Sequence, residues 1–252
     1  MRRLIPFFAL LAGCGASGAK TSQTQDIYTN DGQTRHHATV AEVVWTVWVN
    51  GCAGIALNDQ YVMTANHCQP MAGMKLTTGV GLLHGQVNDM SVDAVPESSA
   101  TLDYAIAKVS WAAGTPTAGQ GYPPSVATKV DDVVLGKDGV GTELETVGFP
   151  VDLQQQATTS IGYAKQYQDT NLYYDVGIIN GNSGGGVWRV EDHMLVSLAN
   201  HGPHEFNEAG WNNNNPEDPN AWNFGAAIYQ VYAQSALLQQ LFPNGHNASL
   251  DH

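Results

Sequence analysis

The chain has 252 residues, of which 43% are hydrophobic and 13% are charged, and its formal net charge is −13. This composition is typical of a globular protein with a sizeable core and excludes a largely disordered chain. The acidic balance disfavours nucleic acid as a partner, because a surface of this sign repels phosphate backbones.

The first residues predict export. Arg2 and Arg3 precede an apolar run at residues 4–12, which is too short to span a bilayer and typical of the core of a signal peptide. The run ends in Leu-Ala-Gly-Cys at residues 11–14, a sequence that resembles the bacterial lipobox. In a lipobox the cysteine, here Cys14, is lipidated and becomes the new N-terminus.

We therefore expect a signal peptide at residues 1–13 and an exported bacterial protein that is anchored to a membrane through its lipid. Residues 14–38 are small and polar, and they are expected to form a tether between the anchor and the domain. The alternative is an ordinary signal peptide that is cut near Ala16 or Ala19, which would give a secreted protein.

The chain contains three cysteines. If Cys14 carries lipid, Cys52 and Cys68 remain, and disulfides persist in exported proteins. A Cys52–Cys68 disulfide would contribute about 3 kcal/mol by restricting the unfolded chain. The alternative is a pair of buried free thiols.

Short β-strands are predicted from about residue 39 onward. Residues 43–49 are dense in β-branched and aromatic side chains, and Gly, Pro, Asn and Asp separate the later apolar runs at short intervals. This pattern predicts an all-β barrel or sandwich. The predicted strands are residues 43–49, 54–57, 61–65, 104–109, 143–149, 157–163, 172–176, 187–190 and 194–199.

Only the C-terminal part of the chain has a helical pattern, at residues 230–242. Residues 210–219 are predicted to be a solvated loop; their oxygen-bearing side chains could bind calcium, but their spacing matches no EF-hand. Pro203 lies between His201 and His204 and excludes the helical spacing of a zinc peptidase, so both histidines are predicted to be loop residues that face substrate.

Ser183 lies in a glycine-rich run at residues 181–185. Glycines permit a tight turn with positive φ angles, so that backbone N–H groups converge on one point. The run predicts a nucleophilic serine with an oxyanion hole made by the N–H groups of Gly181 and Ser183. Taken alone, it is equally compatible with a structural turn.

A serine nucleophile requires a base and a group that orients the base. His67 follows a predicted strand and precedes Cys68, so a disulfide would hold it in place. Asp103 directly precedes the apolar strand at 104–109 and could hold the histidine tautomer, although spacing alone does not select it over Asp89 or Asp93.

The motifs Thr64-Ala65-Asn66-His67-Cys68, Asp103-Tyr104-Ala105-Ile106 and Gly181-Asn182-Ser183-Gly184-Gly185 resemble those of trypsin-like serine peptidases in the order His, Asp, Ser. The resemblance implies an all-β fold of two antiparallel six-stranded barrels with a C-terminal helix, spanning residues 39–245 with the boundary between barrels near 115–130. Residues 246–252 would be a tail. Residues 147–150, 174–176 and 180–184 are most similar to bacterial glutamyl-endopeptidase-type enzymes.

The chain departs from the family pattern beside the nucleophile. Asn182 replaces the aspartate that pairs with a new N-terminal amine in animal-type members, so we expect no activation of that kind. Gly177 stands at the floor of the primary specificity pocket, with no acid to receive Lys or Arg. Ala199 lies on the pocket-wall strand. Ser197 resembles the family serine that binds the catalytic aspartate, and the alternative is a plain strand residue.

The sequence thus predicts a serine endopeptidase that acts through an acyl-enzyme, with His67, Asp103 and Ser183 as its triad and with a protein or peptide as substrate. It needs no metal or organic cofactor. The alternative is a lipid-anchored binding module that keeps the fold without catalysis. An esterase of another fold would place Ser, Asp and His in a different order along the chain.

Overall fold

The computed structural model describes residues 27–28, 34–113, 121–136, 141–151, 154–202 and 222–250. These residues form fourteen β-strands with four short α-helices among them. Within these ranges no helix has both the length and the apolar character needed to cross a membrane. The strands are β1 Ile27–Tyr28, β2 Thr34–His37, β3 Thr46–Val49, β4 Cys52–Asn58, β5 Tyr61–Thr64, β6 Lys75–Thr78, β7 Met90–Ser99, β8 Tyr104–Trp111, β9 Glu143–Gly148, β10 Thr158–Gln168, β11 Asn171–Tyr174, β12 Gly186–Arg189, β13 Leu195–Leu198 and β14 Asn223–Ala226.

Strands β3 to β8 close into an antiparallel barrel in the order β3-β4-β5-β8-β7-β6. Because side chains alternate along a strand, β4, β5 and β8 each present apolar residues on two faces. Ala56, Val62 and Ala107 fill the barrel interior, whereas Ile55 and Met63 belong to a cluster shared with the second half of the chain. The two halves therefore pack against each other through an apolar interface.

The second half forms the other barrel-like sheet. Strands β12, β9, β10, β11 and β14 pair in that order, β13 pairs with β12, and an isolated bridge from Ser197 to Ala227 joins β13 to the end of β14. The predicted all-β fold with two antiparallel barrels is confirmed. The N-terminal strands β1 and β2 extend this sheet, because β2 pairs with β10.

The predicted C-terminal helix is present as two short helices, α3 Ile228–Gln234 and α4 Ala236–Leu241. Ser235 separates them in an extended conformation, and its hydroxyl accepts a hydrogen bond from the N–H of Leu238. Ser235 thus caps the start of α4, because its side chain offers the backbone N–H an alternative to a helical hydrogen bond.

Two further short helices flank the first barrel. A strand was expected at residues 43–49, but only Thr46–Val49 form one, and Val43 ends the helix α1 Val40–Val43. Thr39 and Glu42 form a capping box at the start of this helix. The other is α2 Gly79–Leu83, which begins after Thr78.

The expected domain limits of 39–245 are too narrow. Strand β2 lies inside the segment that was predicted to be a tether, and its residues pair in register with β10. At the other end, Asn247 is fully buried and its side-chain N–H group donates to the carbonyls of Leu57 and Pro123. The residues after 245 therefore bind the first barrel to the segment between the barrels rather than forming a free tail.

Candidate active site

His67 and Asp103 meet at one end of the first barrel. His67 lies in the 3-10 helix Asn66–Cys68 directly after β5, and Asp103 directly precedes β8. Because β5 and β8 pair antiparallel, the end of one strand lies beside the start of the other. His67 Nδ1 is 2.7 Å from Asp103 Oδ2, and the backbone N–H of His67 donates to Oδ1 at 2.9 Å. The carboxylate therefore fixes both the ring and the backbone of the histidine.

Asp103 has a positive φ of 48°, a conformation that aspartate and asparagine adopt more readily than most residues. Burial acts to raise the pKa of this carboxyl, but the hydrogen bonds from His67 and the charges of His67 and His201 lower it below its ordinary value. Asp103 is therefore held in the ionised form that can orient an imidazole and stabilise its protonated state.

Asn200 is the third group that holds Asp103. Its side-chain N–H group donates to Asp103 Oδ2 at 3.0 Å and to the Asp103 carbonyl at 2.9 Å, and the residue is 5% exposed. The sequence offered only a weak signal for this role, namely an amide side chain directly after the strand at the pocket wall.

Ser197 is a plain strand residue and does not bind Asp103. Its hydroxyl donates to the carbonyls of Leu198 and Ala226, and the residue is fully buried inside the second barrel. Asn200 lies three positions further along, beyond the end of β13 at Leu198, where the chain approaches Asp103. Asn200, rather than Ser197, faces Asp103.

Ser183 lies in a turn between β11 and β12 that depends on two glycines. Gly181 and Gly184 have φ angles of 100° and 81°, and a side chain on Gly184 would overlap the Thr64 hydroxyl and the Ala53 carbonyl. The backbone N–H of Ala53 donates to the Ser183 carbonyl at 2.8 Å. The turn is therefore bound to the barrel that carries His67 and Asp103.

Two N–H groups of this turn remain available. Among the described residues, no group accepts a hydrogen bond from the backbone N–H of Gly181 or Ser183. The turn itself is fixed by other bonds, from Gly184 N–H to the Ala199 carbonyl at 2.7 Å and from Gly185 N–H to the Asn182 carbonyl at 2.9 Å. The Ser183 hydroxyl makes no hydrogen bond to a described residue.

The predicted disulfide between Cys52 and Cys68 is confirmed. It links the start of β4 to the residue next to His67, and Cys68 Sγ lies 3.6 Å from the Ser183 carbonyl oxygen. It thus connects the histidine segment to the serine turn. In the described part of the chain, Cys52, His67 and Cys68 are also the one group close enough together to suggest a metal site, but the disulfide occupies both sulfurs.

Asn182 lies beneath the serine turn and is 2% exposed. Its Oδ1 has no hydrogen-bond partner among the described residues, and the side chain packs against Gly148 of β9. A neutral amide in this position cannot form an ion pair with an N-terminal amine.

Two other pocket residues were expected from the sequence. The N–H of Gly177 donates to the Ser160 hydroxyl at 2.9 Å, so that the segment after β11 is held against β10. Ala199 is fully buried, and its carbonyl accepts a hydrogen bond from the Gly184 N–H of the serine turn. It therefore contacts the candidate site through its backbone. Other expectations lie outside the described residues, namely lipidation of Cys14, His204 and the loop at residues 210–219.

His201 was predicted only as a loop residue facing substrate, yet it lies beside the His67–Asp103 pair. Its Nε2 is 3.5 Å from Asp103 Oδ2, and its ring centre is 5.7 Å from that of His67.

The family model described as Trypsin matches residues 28–212. Three solved structures show the same fold. A Glu endopeptidase in complex with MPD is 16% identical, with a TM-score of 0.55 and coverage of 82% of this chain and 96% of its own. Neuropsin from mouse brain is 13% identical, with a TM-score of 0.56 and coverage of 79% and 95%. The Vibrio cholerae VesB protease is 14% identical, with a TM-score of 0.55 and coverage of 79% and 65%. No relative among curated protein sequences matches the chain.

Proposed function

Because the chain belongs to the trypsin family of serine peptidases, we propose that it is a serine endopeptidase whose nucleophile is Ser183. The observation that carries this proposal is the double contact of Asp103 with the ring and backbone of His67, beside a serine turn with two available N–H groups. A base, an orienting acid and an oxyanion site are the parts that a serine nucleophile requires.

In this proposal His67 accepts the Ser183 proton as the hydroxyl oxygen attacks the scissile carbonyl. Asp103 holds the proton of His67 Nδ1, so that Nε2 faces the serine as a base, and it stabilises the imidazolium that forms. His67 then donates its proton to the leaving amine, which leaves an acyl-enzyme on Ser183. Water attacks this ester with His67 again as the base. The missing Ser183–His67 hydrogen bond is compatible with this role, because such bonds often tighten only when substrate binds.

The N–H groups of Gly181 and Ser183 would bind the oxyanion of the tetrahedral intermediate. Gly181 has a positive φ that any other residue would adopt only with strain. A side chain at this position would also overlap the Phe149 carbonyl. Removing one donor of an oxyanion hole reduces kcat by about a hundred- to a thousandfold in enzymes of this mechanism.

The neutral side chain of Asn182 supports an active site that forms without a new N-terminal amine. Purified protein should therefore cleave substrate without prior cleavage near Arg35. An inert protein that gains activity when it is cut near Arg35 would contradict this part of the proposal.

The substrate preference is proposed from the floor of the pocket. Gly177 offers no carboxylate to a Lys or Arg side chain, and Ala199 on the adjoining strand offers no charge. We therefore expect little cleavage after Lys or Arg in a peptide library, and dominant cleavage after either residue would refute the assignment.

Attachment to a membrane through Cys14 remains a proposal from the sequence. Metabolic labelling with an alkyne-tagged fatty acid should mark the wild-type protein in a bacterial host, and Cys14→Ser should lose the label and appear in the soluble fraction. A label that persists in Cys14→Ser, or a wild type without label, would favour ordinary secretion.

The proposed activity is tested by hydrolysis of an unstructured protein such as casein. Wild type should cleave it, Ser183→Ala and His67→Ala should lose nearly all activity, and Ser110→Ala, which changes an exposed serine on β8, should keep it. Correctly folded wild type that cleaves neither casein nor a peptide library would instead favour a binding module on the peptidase fold.

A further inference from the structure

A second imidazole contacts the carboxylate of Asp103. His201 Nε2 lies 3.5 Å from Asp103 Oδ2, the oxygen that also binds His67 Nδ1 at 2.7 Å. The longer distance is that of a charge contact rather than a good hydrogen bond. The two imidazoles therefore share one negative charge, and His67 has the stronger hold on it.

The position of His201 is fixed by the second barrel. Its backbone N–H and carbonyl each exchange a hydrogen bond of 3.0 Å with Phe224, and its ring lies 5.0 Å from the Phe224 ring. Tyr173 stacks on the other side of Phe224 at 4.9 Å. A side chain supported in this way keeps its distance to Asp103 without help from substrate.

We propose that His201 is a positioning residue that sets the acid limit of the reaction, because its protonated ring draws on the charge of Asp103 and so makes protonation of His67 less favourable. This inference rests on the proposed function, in which only unprotonated His67 can act as base. Its consequence is that activity extends to lower pH than a single His–Asp pair would allow.

The groups that contact His201 within the described part of the chain agree with this direction. The loop before β8 contributes the anionic Asp103, the 3-10 helix contributes His67, and β14 contributes Phe224, which does not titrate. Behind it, burial raises the pKa of Tyr173, which therefore stays neutral where imidazoles titrate. The side chain of His201 is 49% exposed, so solvent reaches it.

The size of the effect follows from the separation of the rings. Both side chains are almost half exposed, so an effective dielectric constant of about 40 to 80 applies between them. Two unit positive charges 5.7 Å apart should then displace each other's titration by about 0.5 to 1 pH unit. Because the two sites are coupled, the acid limb of kcat/KM in wild type should also be broader than that of a single ionisation.

The test compares His201→Gln, which removes the charge, with His201→Arg, which keeps a positive charge at every working pH. His201→Gln should move the acid limb of kcat/KM upward by about 0.5 to 1 pH unit, so that activity relative to its own maximum falls about three- to tenfold at acidic pH. His201→Arg should keep the acid limb at or below that of wild type. His193→Gln, which changes a histidine paired with Glu145, is the control and should leave the limb in place.

An NMR titration of the His67 ring in the Ser183→Ala background separates this inference from the proposed function. Its midpoint should rise by the same amount when His201→Gln is added, whether or not the wild type hydrolyses peptides. Coinciding midpoints with and without His201→Gln, or an upward shift in His201→Arg as well, would overturn the role of His201.

Discussion

Asn200→Ala should weaken both the fold and the reaction, because it removes a buried donor from Asp103. The Asn200 side chain makes two bonds, of 3.0 Å to Oδ2 and 2.9 Å to the carbonyl of Asp103. A hydrogen bond to a charged group contributes about 1.5 to 3 kcal/mol. We therefore expect the free energy of unfolding at pH 7 to fall by about 2 to 3 kcal/mol. If half of that energy also orients Asp103 toward protonated His67, kcat/KM should fall about tenfold.

Ser197→Ala is the matched control, since it removes a buried hydroxyl that bonds strand carbonyls rather than Asp103. It should lower the free energy of unfolding by about 0.5 to 1.5 kcal/mol and leave kcat/KM within about twofold of wild type. Urea unfolding and peptide hydrolysis measure both quantities for each variant. A larger loss of kcat/KM in Ser197→Ala than in Asn200→Ala would refute the assignment of Asn200 as the residue that holds Asp103.

Three further perturbations test parts of the same account. Gly184→Ala, at a φ of 81°, should destabilise the fold by about 2 to 5 kcal/mol, because a left-handed backbone and a steric overlap act together. Gly51 has a similar φ but open space around it, so Gly51→Ala should lose only about 1 to 2 kcal/mol. Equal losses of the two variants in urea unfolding would argue against a tightly packed serine turn. Lys165 and Asp175 form a buried ion pair, 2.7 Å apart. Lys165→Met should therefore lower the free energy of unfolding by about 3 to 5 kcal/mol, and the double variant Lys165→Met/Asp175→Asn should lose less than Lys165→Met alone. Losses that simply add in the double variant would count against a paired role. Because the pKa of Asp103 is lowered on folding, its ionised form stabilises the protein above the ordinary value of 3.8, and this stabilisation is lost as pH falls through the lowered pKa of the folded state. The difference in unfolding free energy between wild type and Asp103→Asn should therefore shrink on acidification, and a difference that stays constant with pH would contradict the sign.

The sequence predicted the parts of the site that depend on short motifs. His67, Ser183 and the Cys52–Cys68 disulfide lie in segments whose residue types restrict the local backbone, and the structure brings those segments together. Asp103 could be distinguished from other nearby aspartates only through the family resemblance. Its contact with His67 depends on the pairing of β5 with β8, which no local pattern encodes.

Residues that join the site through tertiary contacts were missed or misplaced. Asn200 and His201 follow β13, and their approach to Asp103 depends on how the second barrel docks on the first. The family resemblance pointed to Ser197, which lies three positions away and is fully buried. An error of this size is not visible in a strand whose residues are all apolar or small.

The limits of the folded domain were also misplaced, because they too depend on tertiary contacts. Strand β2 is polar and short, with a sequence of Thr-Arg-His-His, and its pairing with β1 and β10 makes it a strand. Strand β7 was missed because it carries Pro96 and alternates weakly, with much of its length exposed. Asn247 gives no sign in the sequence that it is buried against the first barrel and the segment between the barrels.

The central claim is that Ser183 is a nucleophile activated by His67 and Asp103. Incubation of the folded protein with a fluorophosphonate probe, followed by digestion and mass spectrometry, tests it directly. The account predicts one phosphonyl adduct on the peptide that contains Ser183, a much slower reaction in His67→Ala, and none in Ser183→Ala. Correctly folded wild type that forms no adduct, or an adduct that persists in Ser183→Ala, would contradict it.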